Sequence, residues 1–103
     1  MLYLMLDSSK NHYFAKVGFA KNPKDRRKQY LTHSPSAIMR STCPGTTEDE
    51  ANCRKVLSSM GLSINGTEWY IVKEDDFKLL YERGLAVLRP KSKSIRFVEE
   101  HLI

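Results

Sequence analysis

No apolar run in this 103-residue chain approaches the roughly 20 residues that a membrane-spanning helix needs. The first residues pass from MLYLML straight into polar ones. They carry no basic n-region and no small-residue cleavage site, so a secretory leader is not expected. Cysteine is scarce. Cys43 and Cys53 have no Cys/His partner set at metal-ligand spacing, which argues against a zinc site. In the expected cytoplasmic or nucleoid-associated setting both stay reduced. His12, His33 and His101 are isolated, and no repeat or low-complexity segment interrupts the chain. The length allows one domain with a modest core and leaves no room for two. Asn65-Gly66-Thr67 has the form of a glycosylation acceptor, but without a leader it reads as a turn.

What the chain does have is positive charge. Seventeen lysines and arginines against twelve acidic residues give a formal charge of +5. Such a balance favours an anionic partner, of which nucleic acid is the commonest. Charged and hydrophobic shares of 28% and 41% are those of an ordinary globular domain.

The stretch from Lys16 to Tyr30 organises the rest. Val17 and Phe19 alternate with Lys16 and Gly18, which is strand periodicity. Asn22 can accept hydrogen bonds from the free N–H groups of a helix start, and Pro23 suits the first helical position. Arg26 and Tyr30 are four residues apart and share a helix face. Strand and helix can thus bring an ammonium, a bare glycine backbone, a guanidinium and a phenol together, which suits a phosphodiester. Arg26 can pair its donor fork with two phosphate oxygens. Gly18 fits a backbone approach that a side chain would block.

The stretch resembles the second motif and first helix of the GIY-YIG nuclease superfamily. Leu2-Tyr3-Leu4 resembles the paired first motif, and Gly66-Thr67-Glu68-Trp69-Tyr70 resembles the downstream metal-binding glutamate before an aromatic residue. The resemblance covers roughly residues 1–72. It departs from the family at Lys16, where the second motif usually has tyrosine, and at Met1, where the first usually has glycine. It implies a small α/β (α+β) sandwich whose short, mainly antiparallel three-stranded central sheet is flanked by helices. Residues 1–84 would form the nuclease-like core, with 85–103 an extension packed on it.

Taken in order, Leu2, Leu4 and Leu6 face one side of a first strand, and Tyr3 and Met5 the other. Asp7 to Asn11 reads as a hairpin loop and residues 12–19 as the return strand. A helix from about Pro23 to Leu31 and a strand over Ala37 to Thr42 follow. Thr47-Glu48-Asp49-Glu50 has capping-box spacing, which accounts for Glu50. Cys53, Val56, Leu57 and Met60 then form a buried helix stripe ended by Gly61. Thr67 to Val72 reads as extended and Asp75 to Arg83 as a helix with Phe77 and Leu80 inward. Leu85 to Leu88 reads as a strand and Ile95 to Leu102 as a short helix.

The resemblance implies a metal-dependent DNA endonuclease with one divalent cation, magnesium or manganese, held by Glu68. A single carboxylate with substrate phosphate and water is enough for such an ion. Tyr3 would stand near the attacking water, and Lys16 would supply the cation that lets a phenol ionise. Arg26 and Tyr30 would hold phosphoryl oxygens. Lys24, Arg27, Lys28 and His33 are the further nucleic-acid-binding candidates. Small relatives in the family often carry a glutamate and a histidine on the second helix, and Arg54 departs from that. The alternative is a nucleic-acid-binding module of the same fold that does not cleave. The setting implied is the cytoplasm of a bacterial host, in a phage or mobile element, with an attached or partner DNA-binding domain supplying specificity.

Overall fold

A computed structural model of the chain describes residues 1–23, 25, 26, 28 and 36–98. It is an α+β domain built on one antiparallel sheet. The strands are β1 (Leu2–Ser9), β2 (His12–Phe19), β3 (Ile38–Cys43), β4 (Gly61–Ser63), β5 (Tyr70–Val72) and β6 (Arg96–Phe97). Their spatial order is β4-β5-β2-β1-β3-β6. Two helices, α1 (Thr47–Met60) and α2 (Glu74–Arg83), follow β3 and β5, and a 3-10 turn, Gly84–Val87, follows α2. Pro23, Asp25, Arg26 and Lys28 are helical as well.

The alternation in β1 decides the layers. Leu4 pairs with Val17 and Leu6 with Ala15, so these side chains share one face. There they join Cys53 and Leu57 of α1, Leu80 of α2, and Leu85 and Leu88 in a single buried core. The opposite face carries Tyr3, Met5 and Met39 in a second, smaller cluster with Ala37, against which Ala20, Trp69 and Val98 pack. Met5 pairs with Lys16 and Tyr3 with Gly18, so Lys16 and Gly18 belong to this face too.

Several elements differ from the sequence expectation. The sheet has six strands among the described residues, where three are implied by the resemblance. Of the additions, β5 falls within Thr67 to Val72, which reads as extended, while β4 and β6 are three and two residues long, too short to show a period. The first hairpin is tighter than Asp7 to Asn11: β1 runs to Ser9, leaving Lys10 and Asn11 as the turn, with Lys10 at φ 52°. Leu85–Val87 is a 3-10 turn because the Leu85 N–H donates to Ser41 Oγ at 2.8 Å and Leu88 N–H closes back on Leu85. Arg96–Phe97 is a strand on β3, where a helix is expected.

A bulge between Leu4 and Met5 throws Arg40 out of register. Its guanidinium lies 4.0 Å from the Tyr81 ring centroid and 4.9 Å from that of Phe97, and Nε donates to the Tyr81 carbonyl at 2.6 Å. This staple joins the end of α2 to the β3–β6 edge.

Candidate functional site

The register explains how distant residues meet. β5 pairs with β2 only at Tyr13, Phe14 and Ala15, and Tyr70 is opposite Ala15. The chain just before Tyr70 therefore runs alongside Lys16, and Glu68 arrives there. Lys16 Nζ and Glu68 Oε2 are 2.8 Å apart; the lysine side chain is 3% exposed and the glutamate 55%. An ammonium taken out of water requires such a partner. Lys16 Nζ also lies 5.9 Å from the Tyr3 ring centroid.

Tyr3 is buried, with its ring laid over Gly18. A Cβ on Gly18 would run into the Tyr3 ring and hydroxyl, so the glycine is there to let the phenol lie flat against β2. Burial pushes the Tyr3 phenol up to about 12. The Arg26 guanidinium pulls the other way, and the carboxylates of Glu68 and Glu50 push in the same direction as burial. Glu68 is held below the ordinary carboxylate value, first by its hydrogen bond from Lys16 and then by the charges of Lys16, Arg54 and Arg26.

Lys16 is engaged with Glu68, and the phenol is harder to ionise than a free tyrosine rather than easier.

Two further charged residues, left out of the site by sequence reasoning, have some influence on Tyr3 and Glu68 through their charge. Glu50 and Arg54 form an ion pair of 3.3 Å on α1, with side chains 13% and 39% exposed. The cap of α1 is one residue earlier than Thr47–Glu50. Thr46 is the N-cap: Asp49 N–H donates to Thr46 Oγ1 at 3.2 Å, and Thr46 N–H donates to Asp49 Oδ2 at 2.8 Å. Asp49 takes the capping role, which leaves Glu50 to its ion pair with Arg54. Two adjacent threonines, each with an acidic residue three positions on, made either cap possible; the burial of Glu50 is a tertiary effect.

An open depression of about 450 Å³ is lined by Phe19, Ala20, Lys21, Asn22, Asp25 and Arg26. Lys28 is helical and exposed. Tyr30, Lys24, Arg27 and His33 lie outside the described residues.

A divalent cation fits this donor set only sparingly. Glu68 presents a half-exposed carboxylate, the hard oxygen ligand magnesium prefers, but Lys16 already claims one oxygen. Among the described residues no three His, Cys, Asp or Glu side chains converge. Glu68 alone would hold a magnesium ion only if that ion kept most of its water. No described helix is long and apolar enough to cross a membrane. Comparison with protein-family models, with curated proteins and with solved structures yields no match to this chain.

Proposed function

We propose that the protein is a metal-dependent DNA endonuclease of the GIY-YIG type, hydrolysing phosphodiester bonds at the cluster of Tyr3, Lys16, Arg26 and Glu68. The observation that carries the reading is the meeting of Lys16 with Glu68 at 2.8 Å, on the face where Tyr3 covers Gly18 and where Arg26 acts on both acidic groups. Four residues from three separate stretches of chain supply two cations, a carboxylate and a phenol to one small volume. A structural ion pair alone does not call for the buried phenol or for the glycine beneath it.

Arg26 offers a planar fork to two nonbridging phosphate oxygens and offsets the charge that grows on them in the transition state. Magnesium or manganese on Glu68 would supply further positive charge for the phosphoryl group and the leaving oxygen. A phosphodiester arriving here competes with Glu68 for the Lys16 ammonium. That ammonium lies 5.9 Å from the Tyr3 ring centroid, and Tyr3 would orient the attacking water in this reading. The +5 charge of the chain draws DNA to the site without reading its sequence.

A second reading, a DNA-binding module that does not cleave, is favoured by the closed Lys16–Glu68 pair and by the phenol raised to about 12. Supercoiled plasmid incubated with magnesium, with manganese and with excess chelator separates the two. Nicking that needs the metal supports the endonuclease. Plasmid left intact in both metals, with retardation on a gel that survives chelator, selects the binding module.

A further inference from the structure

Four strands line up Gly18, Tyr3, Thr42 and Arg96 in one row across the sheet. Tyr3 is opposite Gly18 on β2 and opposite Thr42 on β3, and Thr42 is opposite Arg96 on β6. Directly opposed residues of antiparallel strands share a face, so Arg96 stands on the face of Tyr3. The bulge in β1 comes after Leu4 and leaves this row unbroken. Contact gives the same placement: Val98, two residues on from Arg96, packs against the cluster of Tyr3, Met5, Ala37 and Met39. Phe97 takes the other face. It is opposite Ser41, whose Oγ accepts the Leu85 N–H on the core side, and its ring lies against the Arg40 guanidinium. That anchor fixes which way a strand of only two residues faces.

We infer that Arg96 is a substrate-contacting residue that takes a DNA backbone phosphate flanking the scissile one. This rests on the proposed function, because it extends the face of that site across β3 to the β6 edge. Two strand spacings of about 4.8 Å put the Arg96 backbone about 10 Å from that of Tyr3. At about 3.4 Å per nucleotide along one strand, the phosphate it meets lies within about three nucleotides of the chemistry. Lys16, the cation already placed on this face, is sealed in the sheet and paired with Glu68. Arg96 is exposed, and none of the ion pairs among the described residues uses it. Arg40, on the adjoining strand, is engaged instead with the Tyr81 and Phe97 rings. Thr42, between Tyr3 and Arg96, is half-buried and sets no carboxylate in the row. A guanidinium held in water at a strand edge keeps its fork of donors for a phosphate.

The test is the salt dependence of binding of the intact chain to a fluorescently labelled DNA duplex in excess chelator, where no chemistry intervenes. Each phosphate contact contributes about 0.9 to the log–log slope. Arg96→Gln should make the slope shallower by about that amount, and Arg96→Lys, with the same charge on the same strand, should keep it. Arg83→Gln removes one charge from α2, the helix that buries Leu80 in the core on the opposite face, and should also keep the slope. A full slope in Arg96→Gln overturns the inference and leaves the endonuclease reading standing. An equal loss in Arg83→Gln makes the effect one of net charge and overturns it. A slope in Arg96→Lys as shallow as in Arg96→Gln shows that the change acts through the fold of β6, and overturns it too. A wild-type chain that binds no DNA at any salt overturns both this inference and the endonuclease reading.

Discussion

Lys16 and Glu68 form an unequal pair: the ammonium is sealed in the sheet at 3% exposure while the carboxylate 2.8 Å away is 55% exposed. The two partners should therefore differ in what their loss costs. Glu68→Ala takes the counter-charge from a group already out of water, which is expected to cost about 1–3 kcal/mol. Lys16→Met lets the carboxylate return to water and sets an apolar chain beside Met5, so its cost should be smaller. Urea unfolding of both variants at neutral pH checks the order. The reverse order would mean that the lysine, not the glutamate, completes the pair.

The same pair sets a pH window. The folded-state pKa of Glu68 lies below its ordinary value of 4.5, chiefly through the Lys16 hydrogen bond. A lowered carboxylate pKa contributes stability that is fully present above the unfolded value and is lost as pH falls through the folded one. Wild type should thus be more stable than Glu68→Gln at neutral pH, and the gap should close below pH 4.5. A gap that stays constant into strong acid would show that Glu68 does not carry the difference.

Tyr3 and Gly18 are coupled by contact. Gly18→Ala should cost about 1–3 kcal/mol through overpacking against the phenol. In a Tyr3→Ala background the same change should be close to neutral, because the ring it meets is gone. A double-mutant cycle by thermal or urea unfolding measures this coupling. Additive costs would place the glycine's role elsewhere.

The cap of α1 can be tested by substitution. Thr46→Ala should destabilise the protein by about 1 kcal/mol, whereas Thr47→Ala should have little effect. Chemical unfolding of the two variants decides which threonine is the cap, and a larger loss at Thr47 would restore Glu50 to the capping box.

How far the sequence was legible depends on the range of each signal. Leu2, Leu4 and Leu6 announce β1 because their period is local, and the same holds for Cys53 and Leu57 on α1 and Leu80 on α2. Leu85 to Leu88 misled, since a short apolar run looks alike in a strand and in a buried turn, and the hydrogen bond to Ser41 that decides it comes from 44 residues away. Ile95 and Val98 have helical spacing, yet Arg96 and Phe97 are drawn onto β3 beside Arg40. In the site, Tyr3, Lys16, Gly18, Arg26 and Glu68 were found because each belongs to a short motif. Glu50 was absorbed by the expected capping box, and Arg54 departs from the family's second-helix pattern. What marks Glu50 is its low exposure on a helix whose cap lies one residue earlier than expected, a tertiary effect that local spacing does not announce.

The central claim is that Glu68 serves chemistry as well as the ion pair. The most direct measurement is the nicking rate of supercoiled plasmid in magnesium by wild type and by Glu68→Gln, with DNA affinity in chelator measured alongside. The account expects the rate to fall by orders of magnitude, since metal stabilisation of the phosphoryl charge contributes on the order of several kcal/mol, while affinity holds or rises. A Glu68→Gln protein that nicks plasmid at the wild-type rate would contradict it.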